Sequence, residues 1–286
     1  MLQLTSLRQI RDRIRSVEST EKITHAMEVV SVSKMQSTNR MLSSSEGYFK
    51  MLEDILRGAL SGADTVKNPL LEKRNKIRNT AICVFTSDTG LCGVYNHTIL
   101  KFVDEFVSKI GREKVILFAA GKKGAAHFLK EGMKLRRMFP EMHGRYSYEA
   151  GQEMLKSLMD IFLTGEADEV YNLYAASKTS SRVVPKAEKF LNVEFRSEKR
   201  QEYIFDPNVN SVVSKILPEY LAQKIKIVTL NAFVSEHYAR LTAMTKATDN
   251  ARELSDSLIM LRNKVRQANI TNELIDIISS AESVNK

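Results

Sequence analysis

The sequence predicts an α/β protein: a long antiparallel coiled coil of N- and C-terminal helices with an inserted, Rossmann-like α/β domain. Three observations carry this. Apolar residues recur at steps of three and four at both ends of the chain, short β-branched and aromatic runs alternate with helical stretches in the middle, and each terminal pattern is too long for a compact domain. The expected boundaries are 1–60 for the N-terminal helix, 61–208 for the globular domain and 209–286 for the C-terminal helix.

From Leu4 to about Leu60 there is no proline, and Leu7, Ile10, Ile14, Val17, Ile23, Met27 and Val30 mark a helix stripe. The gap between Val17 and Ile23 predicts a break in the heptad, with locally altered winding. At the other end Ala251, Leu254, Leu258, Leu261, Val265 and Ala268 step three, four, three, four, three, which reads as an a/d seam. Upstream, Val212, Ile216, Tyr220 and Ile225 carry helical spacing, and Pro218 is expected near a first turn or at a kink. A helix over 209–284 is roughly 110 Å long and its N-terminal partner roughly 80 Å.

Between them, Ala81–Phe85, Val115–Phe118 and Val170–Tyr174 read as buried strands. Helical patterns at Asn96–Ile110, Lys122–Glu131 and Tyr148–Leu163 separate or follow them, as in a parallel sheet with helical crossovers. Residues 61–77, with Gly62, Asn68-Pro69 and clustered Lys and Arg, form the expected entry linker, and Asp206-Pro207-Asn208 the cap of the returning helix.

Composition narrows the classes. A hydrophobic fraction of 43% is ample for a core, and the lack of Trp, with only 5 Pro and 12 Gly, favours helix over an all-β fold. No run of apolar residues is long enough to span a bilayer, and the chain is expected to be soluble and not exported. Cys83 and Cys92 are too few for a disulfide framework or a paired-cysteine zinc site, and two buried inert thiols are expected. The formal charge of +9 fits nucleic acid, anionic lipid or an acidic protein, yet it is spread thinly along the chain, which weakens the nucleic-acid reading.

Catalytic and nucleotide motifs are missing. Thr86–Gly93 follows a strand and precedes a helix, but Gly90 and Gly93 lack the third glycine of a dinucleotide fingerprint, so a tight structural turn is expected. Gly121-Lys122 lacks the upstream Gly and the following Ser or Thr of a P-loop. His25, His97, His127, His143 and His237 are scattered and form no metal or triad signature, so surface or internally satisfied histidines are expected. In Ser235–Leu254, small and polar residues dilute the stripe, and Ala239, Ala243, Ala247 and Ala251 recur every four residues, which lets another helix approach closely. On these residues alone three classes stay open: a shaft that reaches into a partner, a basic nucleic-acid-binding scaffold, and a nucleotide-using α/β enzyme.

Three separated segments decide among them. Ile10–Met27 with Val29–Met35, Ser87–Gly93, and Thr245–Ala251 with Asn263–Leu274 resemble, in order and across the whole chain, the gamma subunits of F-type ATP synthases. The resemblance implies a non-catalytic rotor without cofactor or metal, whose paired helices fill a ring of three alpha and three beta subunits. Torque then passes between that hexamer and the membrane c-ring, which couples ion flow to ATP synthesis or hydrolysis and regulates ATPase activity. It also implies that Met27, Arg240, Arg266, Gln267 and Thr271 meet beta-subunit loops, and that guanidinium forks suit carboxylate partners. The apolar end with Ile270, Leu274, Ile277 and Ile278 is expected against a hydrophobic sleeve. The segment around Ser43–Tyr48, with Tyr203, Phe205 and Asp206, forms a foot toward the epsilon subunit and the c-ring. The inserted segment and cysteine pair of plant-plastid members are not visible here, and Met1 lies only a few residues before the first motif. A complex on the cytoplasmic face of a bacterial inner membrane, without thiol control, is therefore expected.

Overall fold

The computed structural model describes residues 7–61, 66–176, 183–195, 205 and 208–284. Two helices bracket the chain, α1 over Leu7–Ser61 and α5 over Val209–Val284. Between them lie β1 (Thr80–Phe85), α2 (Tyr95–Ile110), a 3-10 turn at Arg112–Lys114, β2 (Val115–Ala120), α3 (Lys122–Lys130), β3 (Leu135–Met138), α4 (Tyr148–Leu163), β4 (Glu169–Ala176) and β5 (Val184–Leu191). Contacts gather the chain into two units: Met1–Val30 with Leu241–Lys286, and Ser31–Arg240. Among the described residues, no helix is long and apolar enough to cross a membrane.

The larger unit is built on a sheet of order β3-β2-β1-β4-β5, in which only β5 runs antiparallel to its neighbour. All six residues of β1 are buried, as a central strand covered on both faces requires. One face packs Ile82, Val84, Leu117 and Leu173 against Tyr95, Ile99 and Val103 of α2 and Phe128 of α3. The other packs Ala81, Phe85, Phe118 and Val170 against α4, through Met154, Leu158 and Phe162. The same cluster takes in Leu52 and Leu56 of α1 and Leu217, Leu221 and Ile225 of α5, so both long helices are anchored in the core of the α/β domain.

The three expected strands and three expected inner helices are present, with ends that move by at most a few residues. Two edge strands were not expected. β3 is the short, exposed Leu-Arg-Arg-Met, and β5 carries Pro185 and alternating charges, as suits strands that border solvent. At the return into α5, the Asn208 side chain accepts a hydrogen bond from the Ser211 N–H at 2.9 Å, which is the expected cap; Asp206 and Pro207 lie outside the described residues. Pro218 sits inside α5, not in its first turn.

The smaller unit is an antiparallel helix pair, since partners ascend in α1 as they descend in α5. Ile10 and Ile14 pack with Leu258, Arg252 reaches Glu21 at 2.8 Å, the hydroxyls of Thr248 and Thr24 lie 2.8 Å apart, and Thr245 donates to Glu28 at 3.0 Å. The expected heptad break is absent. In this unit the covered stripe of α1 runs Ile10, Ile14, Val17, Glu21, Thr24, Glu28 at an unbroken alternation of four and three. Ile23 and Val30 lie outside it, 58% and 53% exposed. The seam of α5 is likewise Met244, Thr248, Ala251, Ser255, Leu258, Arg262, Val265. Leu254 and Leu261, placed on it by the apolar pattern, are 43% and 42% exposed, because polar residues occupy seam positions that an apolar count skips.

Candidate functional site

The polar stretch of α5 that interrupts the apolar pattern folds onto the turn after β1. Arg240 is buried and pairs with Glu236 one turn earlier at 2.7 Å. Its fork reaches the Thr89 hydroxyl at 3.2 Å and the carbonyls of Thr89 and Gly90 at 3.4 Å. Burial pushes the Glu236 carboxyl up and the Arg240 charge opposes it. His237 is also buried. Its Nδ1 faces Arg240 Nη1 at 3.3 Å, and its Nε2 lies 2.9 Å from the Gly144 carbonyl. Since a guanidinium only donates, Nδ1 accepts and Nε2 carries the proton to Gly144. Burial, with Arg240 and Lys34 nearby, lowers the His237 pKa to about 4, in keeping with a neutral ring.

The Ser87–Gly93 turn is held from within. The Ser87 N–H donates to Asn96 Oδ1 at 3.0 Å, and the Asn96 amide nitrogen donates to Ser87 Oγ at 2.7 Å. Asp88 accepts from the Lys122 N–H at 3.2 Å through one oxygen and from the His143 N–H at 2.8 Å through the other. Gly121 (φ 117) brings its backbone against the same turn, where a Cβ would lie 2.2 Å from the Thr86 carbonyl oxygen. This is the carboxyl end of the parallel strands, where open α/β sheets take their ligands. Here Arg240 and Asp88 occupy it with internal bonds. Tyr95, at the start of α2, donates to the Ala232 carbonyl at 3.1 Å, and Ser235 to that of Ala175 at 3.0 Å, fixing α5 to α2 and to β4. Cys83 and Cys92 are buried and unbonded to each other, and burial pushes the Cys83 thiol up.

The sequence-predicted site residues fall in different surroundings. Met27 is half-buried on α1. Arg266, Gln267 and Thr271 are exposed on α5, with the Thr271 hydroxyl donating to the Gln267 carbonyl at 3.0 Å. From Arg266 to Ala281 every residue of α5 is exposed, including Ile270, Leu274, Ile275, Ile277 and Ile278. Phe205 is half-buried against the larger core cluster; Tyr203 and Asp206 lie outside the described residues. The alanine ladder serves two different contacts: Ala239 packs on the α2 side of the sheet, whereas Ala251 sits in the helix seam. Sequence reasoning missed Glu236, His237, Asp88 and Lys34. The signal available was Glu236 and His237 placed four and three residues before Arg240, one helical turn away, in the stretch where the apolar stripe is interrupted.

Comparison with known proteins adds the following. Residues 6–284 match the model of a family described as ATP synthase. The chain is 35% identical to the ATP synthase gamma chain of Phocaeicola vulgatus, over 97% of this chain and 99% of that protein. It is 32% identical to the gamma chain of Chlorobium phaeobacteroides strain BS1, over 98% and 99%. Among solved structures it resembles a chain of the Euglena gracilis mitochondrial ATP synthase rotor, with TM-score 0.65, 15% identity and coverage of 92% and 98%. It also resembles a chain of the Tetrahymena thermophila mitochondrial ATP synthase central stalk and c-ring, with TM-score 0.60, 21% identity and coverage of 79% and 99%. At these identities the structural likeness speaks to the fold: long terminal helices with an inserted sheet domain.

Proposed function

The chain belongs to the ATP synthase gamma-chain family, and on that premise we propose which of its residues carry the work of a rotary shaft. The protein is the central rotor subunit of an ATP synthase, transmitting torque between the c-ring and a catalytic hexamer of alpha and beta subunits. The observation that carries this reading is the end of α5: Ile270, Leu274, Ile275, Ile277 and Ile278 stand exposed on a helix whose seam partners, among the described residues, stop at Val265. Such a run of apolar surface calls for a sleeve, and the hexamer supplies one.

Chemistry belongs to the partners. The chain's own contribution is shape and stiffness: each angular position of an asymmetric shaft favours a different state of each catalytic subunit, and the coupling is reciprocal, so hydrolysis turns the shaft and the turning shaft drives synthesis. Arg266, Gln267 and Thr271, exposed on α5, contact beta-subunit loops, as does Met27 on α1. Arg240 belongs to the same set. With its guanidinium committed to Glu236 and the Thr89–Gly90 turn, it acts on the beta subunits through the turn it holds. Phe205, with Tyr203 and Asp206, forms the foot toward the epsilon subunit and c-ring. The complex sits peripherally on the cytoplasmic face of the bacterial inner membrane, without nucleic acid as a partner. Division into 1–60, 61–208 and 209–286 follows the same reading.

Reconstitution tests it. With alpha and beta subunits the full chain should yield a hexamer whose ATP-driven rotation is visible through a probe on the sheet domain, and failure to copurify with the hexamer would sink the reading. The isolated chain should show no equilibrium binding of ATP, because the turn after β1 spends its groups internally; saturable binding would restore the enzyme reading.

A further inference from the structure

Three elements of the larger unit converge on two residues between β3 and α4. The His143 N–H donates to Asp88 Oδ2 at 2.8 Å, and its carbonyl accepts from Lys34 Nζ of α1 at 3.0 Å. The next carbonyl, of Gly144, accepts from His237 of α5 at 2.9 Å. One two-residue segment thus ties α1, α5 and the β1 turn together by consecutive backbone groups.

The segment is shaped for this. His143 and Gly144 both adopt left-handed conformations (φ 48 and 70), and the Arg145 N–H closes the turn on the Met142 carbonyl at 2.8 Å. A Cβ on Gly144 would lie 2.5 Å from His237 Cε1, so no larger residue fits without displacing the imidazole. Each end is anchored. Phe139 is buried, stacks on Phe118 with centroids 5.8 Å apart, and donates its N–H to the Ala119 carbonyl of β2 at 2.9 Å. Ser147 caps α4 by accepting from the Ala150 N–H at 3.3 Å. On the α5 side, the ring of His237 is oriented by Arg240, which Glu236 and the Thr89–Gly90 carbonyls hold in turn.

Resting on the rotor reading above, we propose that the His143–Gly144 turn, gripped by Lys34, His237 and Asp88, is the joint that carries torque between the sheet domain and both long helices. Apolar contact resists separation but is non-directional, so a helix under twist slides along its ridges. A charge-assisted bond from Lys34 and an oriented N–H from His237 each act at one defined carbonyl, and so resist lateral displacement. Both converge on the same backbone segment, so rotation of either helix against the sheet strains this shared point, anchored to β2, α4 and the β1 turn, beside the separate fastening of α5 through Ser235 and Arg240. Lys34, His237 and Asp88 are positioning residues for transmission: they touch no reacting atom.

The test uses the reconstituted complex with Lys34→Met, His237→Ala, the pair combined, and His237→Gln. With the hexamer immobilised and stalled, thermal fluctuation of a probe on the sheet domain reads torsional compliance, while ATP hydrolysis and proton pumping are measured in vesicles. Loss of either grip should raise the angular variance in each single variant, by less than about two-fold because the core packing and the Ser235–Ala175 bond remain, and lower protons pumped per ATP, while hydrolysis by the hexamer persists. The paired variant should exceed the product of the singles, since each loss shifts load onto the parallel grip that remains. His237→Gln, which keeps an N–H toward Gly144, should recover most of the stiffness. A residue that merely stabilises the fold would lower assembly yield and leave variance unchanged in assembled complexes. Should His237→Ala fail to assemble, Lys34→Met, which keeps the aliphatic stem, decides alone. Unchanged variance and pumping ratio in variants beside a rotating wild type overturn the joint; a wild type that does not rotate overturns the rotor reading itself.

Discussion

The hydroxyls of Thr24 on α1 and Thr248 on α5 lie 2.8 Å apart inside the helix seam, at 9% and 2% exposure. Each also has a carbonyl of its own helix within reach, Glu21 at 3.0 Å for Thr24 and Met244 at 2.9 Å for Thr248. The pair is flanked by Glu21–Arg252 on one side and Glu28–Thr245 on the other, so this stretch of the seam is polar by design of register.

Either valine substitution alone should cost about 1 kcal/mol, the worth of one cross-helix hydrogen bond. Thr24→Val with Thr248→Val should cost less than the sum of the single changes, by a coupling of about 1 kcal/mol, because the bond between the hydroxyls is lost only once while each keeps a carbonyl of its own helix within reach. Urea melts of the full chain followed by far-UV circular dichroism measure it. Strictly additive losses would show that the hydroxyls act independently.

How much was legible follows from these residues. Central strands and inner helices announce themselves because burial on both faces demands continuous apolar runs, as in Ala81–Phe85. The helix pair was visible as periodicity, but its register was not. Glu21, Thr24 and Glu28 sit on the seam while Ile23 and Val30 do not, so counting apolar residues invented a break and shifted the α5 seam onto Leu254 and Leu261. Polar residues are tolerated at seam positions when a partner across the seam satisfies them, and that partner lies more than 200 residues away in the chain. The Arg240 hub shares the difficulty: Ser235–Leu254 stood out as anomalous, yet nothing local says that its arginine meets Thr89 and Gly90 or that its histidine meets Gly144.

Acid should weaken the larger unit through His237. Its folded pKa is depressed to about 4, against an ordinary value of 6.5, chiefly by burial. A depressed folded value means that the unfolded chain binds the proton first as pH falls. The contribution of the neutral ring is therefore whole above pH about 6.5 and is lost progressively down to pH about 4, amounting to about 3 kcal/mol. His237→Gln, which cannot titrate, should flatten that part of the stability curve when melts are run across the window. An unchanged slope would assign the acid sensitivity elsewhere.

Asn172 in β4 should be improvable. Its side chain is fully buried, and neither its amide nitrogen nor its oxygen has a hydrogen-bond partner among the described residues. In register it lies between Cys83 of β1 and Glu188 of β5, beside an apolar cluster. A buried amide without partners costs about 1–3 kcal/mol. Asn172→Leu, which keeps the branched outline of the side chain but is bulkier, should raise the melting temperature by a few degrees if the neighbours accommodate the two methyls, at about 2–4 °C per kcal/mol for a unit of this size. A lower melting temperature would mean that the amide is satisfied in solution.

The corrected register of α5 separates two kinds of leucine. Leu258 is 8% exposed and packs on Ile10 and Ile14, whereas Leu254 and Leu261, on the flanks, are 43% and 42% exposed. In the isolated chain Leu258→Ala should cost about 2–3 kcal/mol, the lower part of the range for buried leucines because a helix pair collapses around a small cavity more readily than a closed core. Leu254→Ala and Leu261→Ala should each cost less than about 1 kcal/mol there, since little surface leaves water. If the hexamer encloses this stretch of shaft, the ranking changes on assembly: the flank leucines become buried against the partners, and truncating them should weaken retention of the chain by the hexamer, measured by its dissociation on dilution. Leu258 faces inward in both states, so its truncation should act on the chain's own stability and much less on retention once the hexamer has closed around it. Equal costs at all three positions in the isolated chain would return the seam to the apolar pattern and remove the flank leucines as a partner surface.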